Sequence, residues 1–259
     1  MVLPLYEVGR HKRKPPYVTY GLIAANIVVA AVVLIIPEAS YDSLLNYVGL
    51  IPAVETREFS YPTKWWHHLA LLTSMFLHAD WSHVSINMLF LWIFGGTVEG
   101  ALGHMRYLVF YILCGLAGAT TFVLSDPHSQ SVLIGASGAI SGVMAGYLVI
   151  RPCAKIEVWA LFRPIAVPAV LFIVFYILEQ IWDLKFSDND DTSYWDHIGG
   201  AACGAVLIAL MKLPHVSLLD CTWPNKKVRH SGSAPVAAAS AAEGHTKGHK
   251  AAQPLPDDT

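Results

Sequence analysis

Six apolar runs, each about long enough to cross a bilayer, constrain this chain more than any other feature. A spanning helix needs roughly 20 mostly apolar residues. Candidates stand at Tyr17–Ile36, Ser82–Val98, Met105–Leu124, Val132–Ile150, Pro164–Trp182 and Tyr194–Met211. Lipid offers no water to unpaired backbone groups, so runs of this kind cross as helices. Only 14% of the 259 residues are charged, against roughly 25% in soluble domains. The expected fold is an all-α polytopic membrane protein, a bundle of six transmembrane helices.

Lys and Arg favour the cytoplasmic side of a membrane. Arg10, Lys12, Arg13 and Lys14 precede the first run, Arg151, Lys155 and Arg163 join the fourth to the fifth, and Lys212, Lys226, Lys227 and Arg229 follow the sixth. Acidic residues dominate the 1–2 and 5–6 connections. Both termini are therefore expected in the cytoplasm. Three segments result: a basic N-terminus over 1–16, a membrane domain over 17–213 with a long external loop at 37–81, and a disordered tail over 214–259. The loop's "YPTKWWHHLALLTSMFLHADW" suits a helix lying in the interface. The tail is rich in Ala, Ser, Gly and His and has no apolar face to bury. The first run is too long for a removed signal peptide. The four cysteines have neither metal-site nor redox spacing, so no disulfide framework is expected. A net charge of −2 gives no hint of nucleic acid.

This topology sets depth. The second, fourth and sixth runs all start at the outer face. His83 and Asn87 open the second, Ser137 the fourth and His197 the sixth, each about one to two turns below the surface. Polar groups inside a span are costly and face a bundle interior or water. Any one of them alone reads as a structural hydrogen bond between helices. Three alternate helices carrying them at one level read as a site.

Spacing sharpens this. His83 and Asn87 are i and i+4, on one helix face, as are Ser137 and Ser141. Gly138, Gly142 and Gly146 form a small-residue stripe, and Gly200 and Gly204 a GxxxG pair. Such stripes let helices approach closely in lipid. A serine needs a base to become a nucleophile, and His197 is the obvious one. Developing negative charge on a tetrahedral intermediate needs donors. Asn87, His83 and the backbone N–H groups at the start of the fourth helix can supply them. Asp196 adjoins His197, but neighbours in sequence do not face each other on a helix. The set therefore reads as a Ser–His dyad.

These residues resemble a known family, the rhomboid intramembrane serine proteases. "GASGAISG" (135–142) is similar to the family's Gly-x-Ser-Gly motif, "HADWSHVSINMLFLWIFG" (78–95) to its second span and "HIGGAACG" (197–204) to its sixth. "GHMRYLVFYILCGLAG" (103–118) resembles its third span, and Glu99 fits its Val-Glu pair. The resemblance covers about Tyr17 to Leu213. It implies a rhomboid-like bundle that cuts spans of single-pass or polytopic membrane proteins near the outer face, without metal or cofactor. It makes Ser137 the nucleophile and His197 the base. His83, Asn87 and the Ser137 N–H become oxyanion stabilisers, and His78 joins a polar region where water gathers. Span five is implicated in substrate entry, which makes Phe172, Phe175 and Trp182 gate candidates. The simple six-span form suggests a bacterial plasma membrane. One departure stands out: Ser141 occupies a position where many members carry an aromatic residue against the catalytic imidazole.

Three other readings compete. A non-catalytic rhomboid-like client-binding protein typically lacks the serine or the histidine, and both are present here. A channel or transporter needs a polar line across the bilayer, yet the inner halves read "LFLWIF", "VMAGYLVI" and "VLIAL". A metalloprotease could draw on His67, His68, His78 and His83, but no HExxH motif is present.

Overall fold

The computed structural model describes residues 3–7, 15–56, 68–160, 163–186 and 194–221. A helix stands at each of the six expected positions: α1 (Tyr17–Val33), α5 (Trp81–Leu102), α6 (His104–Ser125), α7 (Ser137–Ile150), α8 (Ala169–Phe186) and α9 (Tyr194–Met211). Three of these, α5, α6 and α9, are long and apolar enough by themselves to cross a membrane. Between α1 and α5 lie the short helices α2 (Glu38–Val48), α3 (Pro52–Glu55) and α4 (Ala70–Thr73), followed by a 3-10 turn at Ser74–Phe76. The described part of the expected interfacial helix is thus only two short turns, and Trp66 and His67 lie outside the described residues.

The centre of the molecule is α7, buried along nearly its whole length. It packs mainly against α6 and α9, and also against α5. Tyr107, Phe110 and Tyr111 of α6, Phe94 of α5 and Tyr147 of α7 are fully buried around it. Burying an aromatic ring in this way contributes on the order of 2 kcal/mol in water. In lipid the gain comes from close packing.

Two helices start later than the apolar pattern suggested. The fourth run begins at Val132, but α7 begins at Ser137. Leu133 pairs with Leu50 in an antiparallel bridge, and the Gly135 N–H donates to the Ser74 carbonyl at 2.9 Å. Gly135 has φ 125°, a conformation only glycine adopts without strain, and no helix can run through it. In the fifth run, Pro164 and Pro168 keep the chain extended, and α8 starts at Ala169, directly after a residue that lacks the N–H a helix interior needs.

The all-α expectation needs correcting. A three-stranded antiparallel sheet joins β1 (Leu3–Glu7), β2 (Lys155–Ala160) and β3 (Arg163–Pro168) in the order β1-β2-β3. Within β2 the side chains alternate: Ile156 and Val158 are buried while Lys155 and Trp159 are exposed. This is the period of two that marks a half-buried strand. β3 carries two prolines and lies at the edge, where a missing N–H breaks no ladder.

The expectation of no disulfide is also overturned. Cys153, just after α7, is bonded to Cys221, beyond α9. The two are 68 residues apart in sequence, so no short spacing announced the pair. Residues 214–221, expected to open the disordered tail, run along the end of α7: Leu219 N–H donates to Val149 O at 2.8 Å and Asp220 N–H to Ile150 O at 2.9 Å. These bonds satisfy carbonyls that the last turn of a helix leaves free. The rest of the tail, from 222 on, lies outside the described residues.

Candidate active site

α7 and α9 meet through glycine. A methyl group added to Gly200 would overlap the Gly138 carbonyl, and one added to Gly204 would overlap the backbone of Gly142. Gly146, further along, is roomier, with Phe110 Cζ at 3.1 Å and Ile208 at 3.5 Å from an added β-carbon. The two backbones therefore touch at the ends carrying Ser137 and His197. Ser137 is the first residue of α7, and His197 lies in the first turn of α9. Both are partly buried.

His83 approaches from α5. Its helix is capped by Asp80, whose carboxylate accepts the His83 N–H at 2.9 Å. An N-cap of this kind fixes where the helix starts, and so where the imidazole stands. A β-carbon placed on Gly135 would lie 3.0 Å from the His83 ring and 3.5 Å from Ser137 Oγ. Glycine at 135 thus leaves open the space that the histidine and the serine share. His83 meets His78 edge to face, with ring centroids 5.0 Å apart. His78 itself is buried in the loop before α5. Burial, reinforced by the neighbouring His83, pushes its pKa down from 6.5 to about 4. One turn along α5, Asn87 is buried, and its Nδ2 has no hydrogen-bond partner among the described residues. A buried donor left open is rare and calls for an explanation.

Ser141 does not share Ser137's surroundings. It is buried and faces α8, where its hydroxyl lies 3.4 Å from Tyr176 Oη. The Tyr176 ring in turn lies 6.4 Å from the His197 ring, tilted by 36°. These three residues line an apolar cavity of about 140 Å³ between α7, α8 and α9, closed further by Met144, Ile173 and Ile177. Of the residues singled out from span five, Phe172 packs on Phe90 and Phe94 of α5, whereas Phe175 and Trp182 are exposed on the outer side of α8. His68 bonds Glu55 at 2.8 Å. Among the described residues no three His, Cys, Asp or Glu side chains gather as a metal centre would require.

A family model described as Rhomboid domain matches residues 62–213, more than half of the chain. The chain belongs to the rhomboid family. Rhomboid protease AarA of Providencia stuartii is 30% identical to this rhomboid over 229 residues, covering 76% of this chain and 73% of the relative. RHOMBOID-like protein 5 of Arabidopsis thaliana is 27% identical over 184 residues, 70% of this chain and 56% of the plant protein. Inactive rhomboid protein 1 of Drosophila melanogaster is 28% identical over 170 residues, 63% of this chain and 10% of the fly protein. The chain thus spans about half the length of the plant relative and a tenth of the fly one. Similarity of this kind establishes an integral membrane protein of the rhomboid family, and the family holds both protease-named and inactive-named members.

Sequence reasoning missed two groups in this rhomboid. Tyr176 carried no signal, because a tyrosine in an apolar run looks like any other core or lipid-facing residue. Asp196 did carry one: an ionisable residue at the start of a span. As the sequence neighbour of His197 it cannot face the same way on a helix, and so it does not read as part of the dyad. The structure turns it the other way, into the interior, with 3% exposure.

Proposed function

We propose that this rhomboid is an intramembrane serine endopeptidase that cuts transmembrane segments of other membrane proteins near the outer face. The observation that carries the reading is the backbone contact between α7 and α9 at Gly138 and Gly200, which brings the first turns bearing Ser137 and His197 side by side. In this reading His197 takes the Ser137 proton as the hydroxyl attacks a substrate carbonyl. The Ser137 N–H, the His83 ring N–H and the unpartnered Asn87 Nδ2 donate to the oxyanion. His197 then returns the proton to the leaving amine, and water repeats the sequence on the acyl-enzyme. His78 helps hold that water. The apolar cavity beside His197 receives a substrate side chain or lipid-derived segment arriving past α8.

The six apolar helices are all membrane spans in this proposal, with both termini in the cytoplasm of a bacterium and Ser137 on the outer side of its plasma membrane. Substrates are single-pass or polytopic membrane proteins, and the dyad needs no metal or cofactor. The glycines at 138, 142, 146, 200 and 204 supply close packing and touch no reacting atom.

Co-expression with a reporter whose span carries a helix-breaking residue tests the reading. Ser137→Ala and His197→Ala are expected to abolish cleavage, and Ser141→Ala to leave most of it. Cleavage that survives Ser137→Ala would sink the assignment in favour of a client-binding protein or a different nucleophile.

A further inference from the structure

α7 begins without a cap of its own. Its N-cap position is Ala136, which has no side-chain acceptor. The first helical bond is Ile140 N–H to Ala136 O at 3.0 Å, so the N–H groups of Ser137, Gly138 and Ala139 need partners from outside the helix. The Asp196 carboxylate stands directly against this turn, beside the Gly138 backbone. Asp196 stands in the first turn of α9 and is buried. Its carboxylate fills a recess left by two glycines on two other helices. A β-carbon on Gly138 of α7 would overlap both carboxylate oxygens, and one on Gly118 of α6 would overlap one of them. Gly138 is therefore more than a helix-packing residue: it makes room for an acid.

The same chain uses this device elsewhere. The α1 helix also lacks a side-chain cap of its own, and the buried Glu99 of α5 accepts the Val18 and Thr19 N–H groups at 3.0 and 2.8 Å. Carboxylates suit helix N-termini because of the partial positive charge there.

Resting on the serine-protease reading above, we propose that Asp196 is a positioning residue, which caps the first turn of α7 from behind and so fixes Ser137 against His197. The two contacts are adjacent on both helices. Residues 138 and 196 form the clamp, and residues 137 and 197 form the reacting pair. A rotation of α7 that moved Ser137 away from His197 would lift the Gly138 backbone off the Asp196 carboxylate at the same time. Asp196 touches neither substrate nor reacting atoms and exchanges no proton in this role.

The test uses the full chain in proteoliposomes with a fluorescent transmembrane reporter and, separately, a fluorophosphonate that labels the reactive serine. Asp196→Ala is expected to lower kcat by about tenfold or more, since small misplacements of a nucleophile are costly, with KM unchanged and serine labelling slowed by a similar factor. Asp196→Asn keeps an acceptor of the same size and is expected to stay within about threefold of the wild type, as Asn and Asp cap equally well. Asp196→Glu keeps the charge but is too long for the glycine recess and is expected to be slow. That variant carries the test if the alanine protein fails to accumulate. Wild-type kcat and labelling in Asp196→Ala would overturn the proposal, as would a glutamate variant faster than the asparagine one. Failure of the nucleophile assignment looks different, because cleavage then survives in Ser137→Ala.

Discussion

The Cα of Gly200 stands against the carbonyl of Gly138 with no room for a β-carbon between them. Because the obstacle is backbone, it cannot swing aside as a side chain would. Gly200→Ala must push α9 away from α7 and separate the two first turns. Overpacking of this kind costs roughly 1–3 kcal/mol, and the geometric loss falls on the residues proposed to react. Gly200→Ala is expected to lose nearly all reporter cleavage and to lower Tm in detergent. Gly146→Ala, where an added β-carbon meets its nearest neighbour at 3.1 Å, should keep most of both. Equal effects of the two changes would show that the contact is not special.

His78 makes stability depend on pH. The folded protein keeps it neutral down to about pH 4, whereas an ordinary histidine takes up its proton near 6.5. Between those values the unfolded chain binds a proton that the folded chain does not, so unfolding becomes easier as pH falls. The stabilisation is complete above 6.5 and is lost progressively towards 4. A series of Tm measurements from pH 7.5 to 4 should show this decline. His78→Gln, which does not titrate, should flatten it, and parallel curves for the two proteins would refute the assignment.

How much of this was legible beforehand differed by the kind of signal. Ser137, His197, His83 and Asn87 stood out because polar groups in apolar runs are expensive, and helical spacing then placed them at a common depth. Gly200 and Gly204 stood out for the opposite reason, as the smallest residues at the period of a helix seam. The start of α7 was hidden, since nothing in "VLIGA" distinguishes a strand-like approach from a helix until the positive φ of Gly135 is known. The β2 alternation of Ile156 and Val158 is only six residues long, and its partner β1 lies some 150 residues earlier. No local pattern can reveal such a pairing. Asp196 was visible as an anomaly, but its partners, Gly118 and Gly138, come from two other helices.

Glu99 is the anchor of α1. Its buried carboxylate accepts the Val18 and Thr19 N–H groups and the Thr19 hydroxyl, the last at 2.6 Å, and it bonds His104 as well. Glu99→Ala would leave these donors buried without partners, at a cost of about 1–3 kcal/mol for each unsatisfied group. The Glu99→Ala protein is expected to unfold at clearly lower temperature and to expose α1 to proteolysis. Glu99→Gln retains one acceptor oxygen and should fall between it and the wild type. Protease protection of α1 equal to the wild type in Glu99→Ala would show that α1 is held by its apolar contacts alone.

The Cys153–Cys221 bond ties the segment after α9 to the end of α7 that lies opposite Ser137. The Cα atoms are 4.9 Å apart, within the usual range for a disulfide. Under the proposed topology both cysteines face the cytoplasm, where such pairs are kept as thiols. The pair is therefore expected to react with maleimide in freshly broken cells and to be protected after purification in air. For a free chain, closing a 68-residue loop would stabilise by about 4 kcal/mol. Here the bilayer and the Leu219 and Asp220 backbone bonds already restrict the reduced chain, so the gain is smaller. Reduction with dithiothreitol should lower Tm by a few degrees without abolishing cleavage, because the bond lies at the far end of α7 from the site. Cys153→Ser should reproduce that lower Tm and make it insensitive to dithiothreitol. A dithiothreitol effect that persisted in Cys153→Ser would place its origin elsewhere in the protein.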